Sequence, residues 1–342
     1  MSASIEDYLE DLYPIKILEK RKVRDNIFIT AKSPGTSATS FLFKPSELSA
    51  ERLLFLHTAL LHLAGNGFTA TDICLETKEG LPFAATEDTV YTLTPLYTEG
   101  GYSFDNKAEL GTAARLLARM HLAGSGFTEE KARRDLTAYA LPYTVKCCLG
   151  DTPATFARRL AELKRFRRVA SKGGGIFDYT YLTVADYYCD LGDMLLKELS
   201  DSPYEKLVEE GRMSGCFCHR DFTGHNTAKH PPEGVICNFE NASIELPIYD
   251  VANLLRRRLR KCGWQKEDAE YILQNYDTVR PLSREEMAVL KILLQFPQKL
   301  WRVVNKYYNS KRGRHEKSSL SKLQEIINEK EPMNRFVKAF WS

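Results

Sequence analysis

The stretch 216–264 constrains this chain more than any other part of it. It opens with His219-Arg220-Asp221 and places Asn226 five residues after the Asp. A short apolar run, Val235-Ile236-Cys237, leads into Asn238-Phe239-Glu240, and a helical pattern opens near Asp250. This order of strand, loop, turn, strand and helix is that of the catalytic and metal loops used in phosphoryl transfer. There the protein mainly positions groups and neutralises charge. An Asp on the loop accepts the proton of the attacking hydroxyl, and an Asn five residues on reaches a magnesium ion. A carboxylate after the next strand bridges that ion to the phosphates. Asp221 suits the base and Asn226 the first metal ligand. Asn238 stands where the bridging carboxylate belongs. It keeps an oxygen ligand but lacks the charge, and Glu240, two residues on, is placed to supply part of it. The segment points to ATP- and magnesium-dependent chemistry and weakens that reading at the metal. His219 reads as a structural residue of the loop. Asp250 reads as a buried carboxylate at a helix start that braces the loop.

Residues 1–99 read as a small β-rich lobe. A short amphipathic helix is expected over 2–12 and antiparallel strands over 15–18, 27–31 and 40–44. Ser33-Pro34-Gly35-Thr36 is the turn between the second and third strands. The third strand ends in Lys44. In a kinase-like fold a lysine there contacts the α- and β-phosphates and pairs with a Glu on the next helix. That helix is expected over 47–64, with Glu47 and Glu51 one turn apart and Glu51 the partner of Lys44. The turn Glu19-Lys20-Arg21-Lys22-Val23-Arg24-Asp25-Asn26 has no glycine. Its four basic side chains are either a phosphate clamp in place of backbone amides or a solvated turn. Residues 95–101, with Gly100-Gly101 for flexibility, read as a hinge where adenine would meet backbone groups.

Residues 100–342 read as a larger, mostly helical lobe carrying the catalytic and metal loops as a hairpin over 216–240. Helices are expected over 106–124, 152–169, 178–199, 250–262, 266–278, 283–295 and 316–340. Gly173-Gly174-Gly175 is a turn, because a phosphate loop would need a preceding strand and a following Lys-Ser/Thr. Arginines and lysines cluster at 158–168, at 256–261 and at Lys306, Lys311, Arg312 and Arg314. Most suit solvated helix faces. Two such clusters brought together would dock anions. Nucleic acid is disfavoured, since no recognition motif accompanies them and the net charge of +3 is small.

The 342 residues suffice for a large core. The acidic N-terminus lacks a signal-peptide core, so synthesis in the cytoplasm is expected. No apolar run is long enough for membrane insertion. The eight cysteines match no zinc spacing, and Cys216 and Cys218 read as buried free thiols.

The chain resembles the CotS-type spore-coat proteins, a branch of the aminoglycoside and choline phosphotransferase superfamily. The residues carrying the resemblance are HRDFTGHN at 219–226, NFENASIELPIYDVANLLRR at 238–257, and Gly263-Trp264. Others are ERLLFLHTALLHLAGNGF at 51–68, LLARMHLAGSGF at 116–127 and WRVVNKYYNSK at 301–311. The resemblance covers nearly the whole chain. It implies an α+β, two-lobed protein-kinase-like fold of the aminoglycoside phosphotransferase type. It also implies nucleotide as a ligand, a spore-coat location and other spore-coat proteins as partners. The superfamily usually carries Asp where this chain has Asn238. The expected function is therefore a kinase-fold coat protein of weak or absent activity, a pseudokinase. The alternative is an active phosphotransferase acting on a hydroxyl of a small molecule, sugar or coat component.

Overall fold

The computed structural model describes residues 5–33, 35, 37–310 and 316–341. Residues 2–4 of the expected first helix, Pro34 and Thr36 of the expected turn, and Lys311, Arg312 and Arg314 lie outside them. In chain order the elements are α1 (Ile5–Leu12), β1 (Lys16–Val23), β2 (Asn26–Lys32), β3 (Thr39–Pro45), α2 (Ala50–Gly65), β4 (Ala84–Ala85), β5 (Val90–Pro95), α3 (Lys107–Ala123) and α4 (Glu129–Leu136). There follow α5 (Thr152–Ala170), α6 (Ile176–Asp201), α7 (Tyr204–Ser214), β6 (Thr227–Ala228), β7 (Val235–Ile236), α8 (Ile248–Lys261), α9 (Lys266–Asp277), α10 (Arg284–Gln295), α11 (Gln298–Asn309) and α12 (Glu316–Phe340). The chain forms two compact units. The first holds residues 1–147, 212–247 and 278–280, and the second holds 148–211, 248–277 and 281–342. The hairpin of β6 and β7 thus packs in the same unit as the N-terminal sheet.

That sheet is antiparallel, in the order β1-β2-β3-β5-β4. Ile27, Ile29 and Ala31 alternate along β2 onto one face, where Phe41 and Phe43 of β3 and Leu93 of β5 join them. Leu9 of α1 and Tyr13 close this core. Each such aliphatic or aromatic side chain contributes about 1.5–3 kcal/mol by leaving water. The first strand runs further than its apolar residues suggested. Glu19 to Val23 pair with β2, so the connection is only Arg24-Asp25, with Arg24 at φ 55°. Charged side chains on both faces of an exposed edge strand hide the period-two signal. Lys20 is 2.5 Å from Glu6, and Arg21 lies over the Phe28 ring. Lys20, Arg21 and Lys22 therefore belong to the strand, and of the four basic residues Arg24 alone lies in the turn.

Helix α2 begins at Ala50, because the Ser49 hydroxyl accepts the Arg52 N–H and caps it. Glu47 precedes the helix instead of forming its first turn. Asn106 caps α3 in the same way.

In the second unit, α5 packs on α6 and α11, and α12 packs on α6 and α11. Stacked rings join these helices: Phe177 on Tyr307 at 3.7 Å and Phe166 on Tyr308 at 5.1 Å. Phe156 stacks on Phe296 at 3.5 Å, where α10 ends. The Tyr308 hydroxyl donates to Asp178 at 2.6 Å. All eight cysteines are free, and Cys216 and Cys218 are buried. Among the described residues no helix is long and apolar enough to cross a membrane.

Candidate active site

The site grows from the β6–β7 hairpin, in which Thr227 faces Ile236. The other edge of β7 is covered by the segment after α2: the Ile236 N–H donates to the Ala70 carbonyl at 3.0 Å, and Thr71 bridges to Ile236. Residues 219–226 precede the hairpin. His219 is fully buried; its Nε2 lies 2.9 Å from the Cys237 carbonyl, and its Nδ1 accepts the Asp221 N–H. Its structural role follows from these bonds. Arg220 sits at φ 64° and donates to buried Glu245 at 3.0 Å. The Asn226 amide donates to the Asp221 carbonyl at 2.9 Å and to its carboxylate at 3.2 Å.

Asn238 follows β7 in the left-handed region, at φ 61° and ψ 58°. Short polar side chains tolerate that conformation. Its side-chain Nδ2 donates to Asn226 Oδ1 at 3.0 Å. Its backbone N–H donates to the Asp72 carboxylate at 2.9 Å. Asp221, Asn226, Asn238 and Asp72 therefore form one continuous hydrogen-bonded line.

Asp72 was not legible in the sequence, since it lies in a loop with no motif. It lines a cleft of about 350 Å³ together with Lys44, Glu47, His57, Cys74, Asn238 and Glu240. Burial raises the Asp72 pKa; the Asn238 N–H, then His219, and more weakly Lys44 pull it back. Burial pushes the Cys74 thiol up to about 12, so it stays protonated at neutral pH. His57 is held below the ordinary histidine range by burial, against the pull of Glu76 at 2.8 Å.

Of the residues expected at the nucleotide, Lys44, Asn238 and Glu240 line this cleft, while Asp221 and Asn226 reach it through the hydrogen bond to Asn238. Glu51 does not line it and makes no ion pair with Lys44. With α2 starting at Ala50, Glu51 lies in its first turn, and the carboxylate that feels Lys44 is Asp72.

Residues 95–101 are less flexible than Gly100-Gly101 suggested. The Lys229 N–H donates to the Gly100 carbonyl, and the Tyr102 N–H donates to the Thr227 hydroxyl. A Cβ at Gly101 would lie 1.8 Å from the Gly224 carbonyl oxygen. Glycine is needed there for close approach, and the connection is fastened to the loop and hairpin that carry Gly224 and Thr227.

The sequence profile described as "Spore coat putative kinase YutH" matches residues 6–340. The chain belongs to this family. Two curated relatives come from Bacillus subtilis (strain 168). Spore coat protein S is 27% identical over 86% of this chain and 82% of its own length. Endospore coat-associated protein YutH is 25% identical over 80% and 76%. Among solved structures, an aminoglycoside phosphotransferase from Alicyclobacillus acidocaldarius superposes with a TM-score of 0.79 at 21% identity. It covers 99% of this chain and 96% of that one. A spectinomycin phosphotransferase complexed with ADP and spectinomycin gives 0.55 at 11% identity, over 94% and 92%. This YutH-family chain thus has the two-lobed, kinase-like aminoglycoside phosphotransferase fold, as its motifs implied.

Within a spore-coat kinase fold, magnesium would need oxygen donors in near-octahedral array. The YutH-family site fits this poorly. Asn238 turns N–H groups toward the Asn226 oxygen that would ligate the ion. The Asn226 oxygen is thus taken by Asn238, while the Asn226 N–H groups are turned to Asp221.

Proposed function

We propose that this spore-coat kinase-family protein binds a nucleotide, ATP by preference, in the cleft around Lys44, and transfers phosphoryl groups weakly or not at all. The observation that carries the reading is the Asn238–Asn226 amide pair standing where a charged metal ligand would link nucleotide to loop. No step through magnesium follows from this geometry. Lys44 supplies the positive charge for the phosphates. Asp72 lines the same cleft as Lys44 and anchors Asn238 through the backbone N–H. Glu240 adds an exposed carboxylate at the cleft mouth. In the spore coat such a protein acts as a ligand-responsive structural component beside other coat proteins.

The active phosphotransferase is the second reading. It is favoured by Asn226, which fastens both the carbonyl and the carboxylate of Asp221 in place. Asp221 would then be the base toward an acceptor hydroxyl.

Calorimetric titration with ATP tests the cleft. Lys44→Met should weaken binding by about tenfold or more, because a charge-assisted contact to phosphate is lost. Asp72→Asn should weaken it as well, and Glu51→Gln should leave it unchanged. Asp72 has a folded pKa above its unfolded value, so its stabilising contribution is present in acid and lost as pH rises through the folded pKa. Asp72→Asn should therefore cost no stability at neutral pH while it costs affinity. Equal affinities in wild type and Lys44→Met would refute the assignment of the cleft.

A further inference from the structure

The second unit buries an arginine that has no carboxylate partner among the described residues. Arg256 of α8 is only 7% exposed. Its Nη1 donates to Gln298 Oε1 at 3.3 Å, while its Nε is shut off from solvent and finds no acceptor. Among the described residues no carboxylate pairs with it. The sequence placed this residue on a solvated basic face. Ala252 and Leu259 share its side of α8 and are buried, which is the signal that it turns inward.

Three further guanidiniums stand around it. Arg260 is one turn along α8. Arg159 reaches from α5 and lies 4.5 Å over the Trp301 ring. Arg302 follows Trp301 on α11, and Gln298 lies one turn before them on the same face. Burial lowers the Arg256 pKa to about 9, with Arg260 and then Arg302 adding to the effect. The acids beside the cluster are shared with other groups. Glu329 meets Arg260 at 3.3 Å and Lys299 at 2.6 Å, and Glu162 accepts the Trp301 indole N–H.

Taking a guanidinium from water is costly, and one amide oxygen does not offset it. Nor does repulsion from like charges help. A planar guanidinium with an unsatisfied N–H matches the oxygens of phosphate or sulfate. Arg302 is exposed and opens the cluster to the surface. We infer that Arg256, Arg260, Arg302 and Arg159 form a binding site for a tetrahedral oxyanion, a phosphate or sulfate group, whose oxygens give Arg256 Nε its missing acceptor. This site is separate from the nucleotide cleft and does not depend on it.

The test is calorimetric titration of the whole protein with sodium sulfate and with inorganic phosphate, ionic strength being held constant with chloride. Saturable binding is expected. Arg256→Met should lose about tenfold or more in affinity, yet melt no lower than wild type without the anion, since an unbalanced buried charge has gone. Lys44→Met should bind the anions as wild type does. Undiminished sulfate affinity in Arg256→Met would overturn the assignment, as would a clear fall in its melting temperature without anion. Arg302→Gln, an exposed change that leaves the core intact, should also weaken sulfate binding; unchanged affinity would count against the site. Glucose 6-phosphate binding more tightly than inorganic phosphate would identify a phosphate ester as the occupant, and the reverse order the free ion.

Discussion

Replacing Asn238 by Asp should make nucleotide binding depend on magnesium. The substitution removes the N–H donor that now occupies Asn226 Oδ1. It places a carboxylate in the cleft that Glu240 also lines, and magnesium in nucleotide sites is normally held by one or two carboxylates together with phosphates. The left-handed backbone at φ 61° is accessible to Asp as it is to Asn, and the backbone N–H to Asp72 survives. Affinity for ATP in the presence of magnesium should rise by about tenfold or more over wild type, roughly 1.4 kcal/mol. Without magnesium it should fall, because the added carboxylate repels the phosphates. Calorimetry with and without the ion reads both. Equal affinities in the two proteins would mean that Asn238 does not stand at the phosphates.

Asp250→Ala should have the largest effect on stability. The carboxyl is wholly buried in the first turn of α8, a helix whose Ile248, Val251, Leu254, Leu255 and Leu259 belong to the core. A negative group in that turn is favoured by the exposed N–H ends of the helix. Removing it strands buried polar partners, at a cost on the order of 3 kcal/mol. Denaturant unfolding should show a lower midpoint with an unchanged slope. A midpoint equal to that of wild type would show that burial at this position carries no energetic role.

Elements with strong period or strong caps were readable from the amino acids. The β2 alternation, the Asn106 cap of α3 and the long helices α5, α6 and α12 lie within a few residues of their expected bounds. Helix α11 went unassigned although residues 301–311 were singled out and Leu300, Val303 and Val304 keep the i, i+3, i+4 spacing of one buried stripe. Helix α4 is short and mostly charged, and α7 is short and carries Gly211 near its end, so little marked them. That Asp221, Asn226 and Asn238 come together was legible from the spacing of the His219-Arg220-Asp221 motif, and they are joined by hydrogen bonds. Asp72 was not, since it reaches the site through tertiary pairing of residues 70–71 with β7. The expected Lys44–Glu51 pair rested on the ERLLF stretch of the resemblance, and α2 starts three residues after its expected start at Glu47. Ser49 sets that start, and a cap of this kind is visible in sequence once it is weighed against the preceding Pro45.

The most direct test of a nucleotide cleft without a working metal centre is the melting temperature of the purified protein in saturating ATP, with and without magnesium. A ligand at a hundredfold excess over its dissociation constant adds roughly 2.7 kcal/mol to the native state. ATP should raise the melting temperature, and magnesium should change that rise little. No rise with ATP, or a rise that appears only with magnesium, would contradict the assignment.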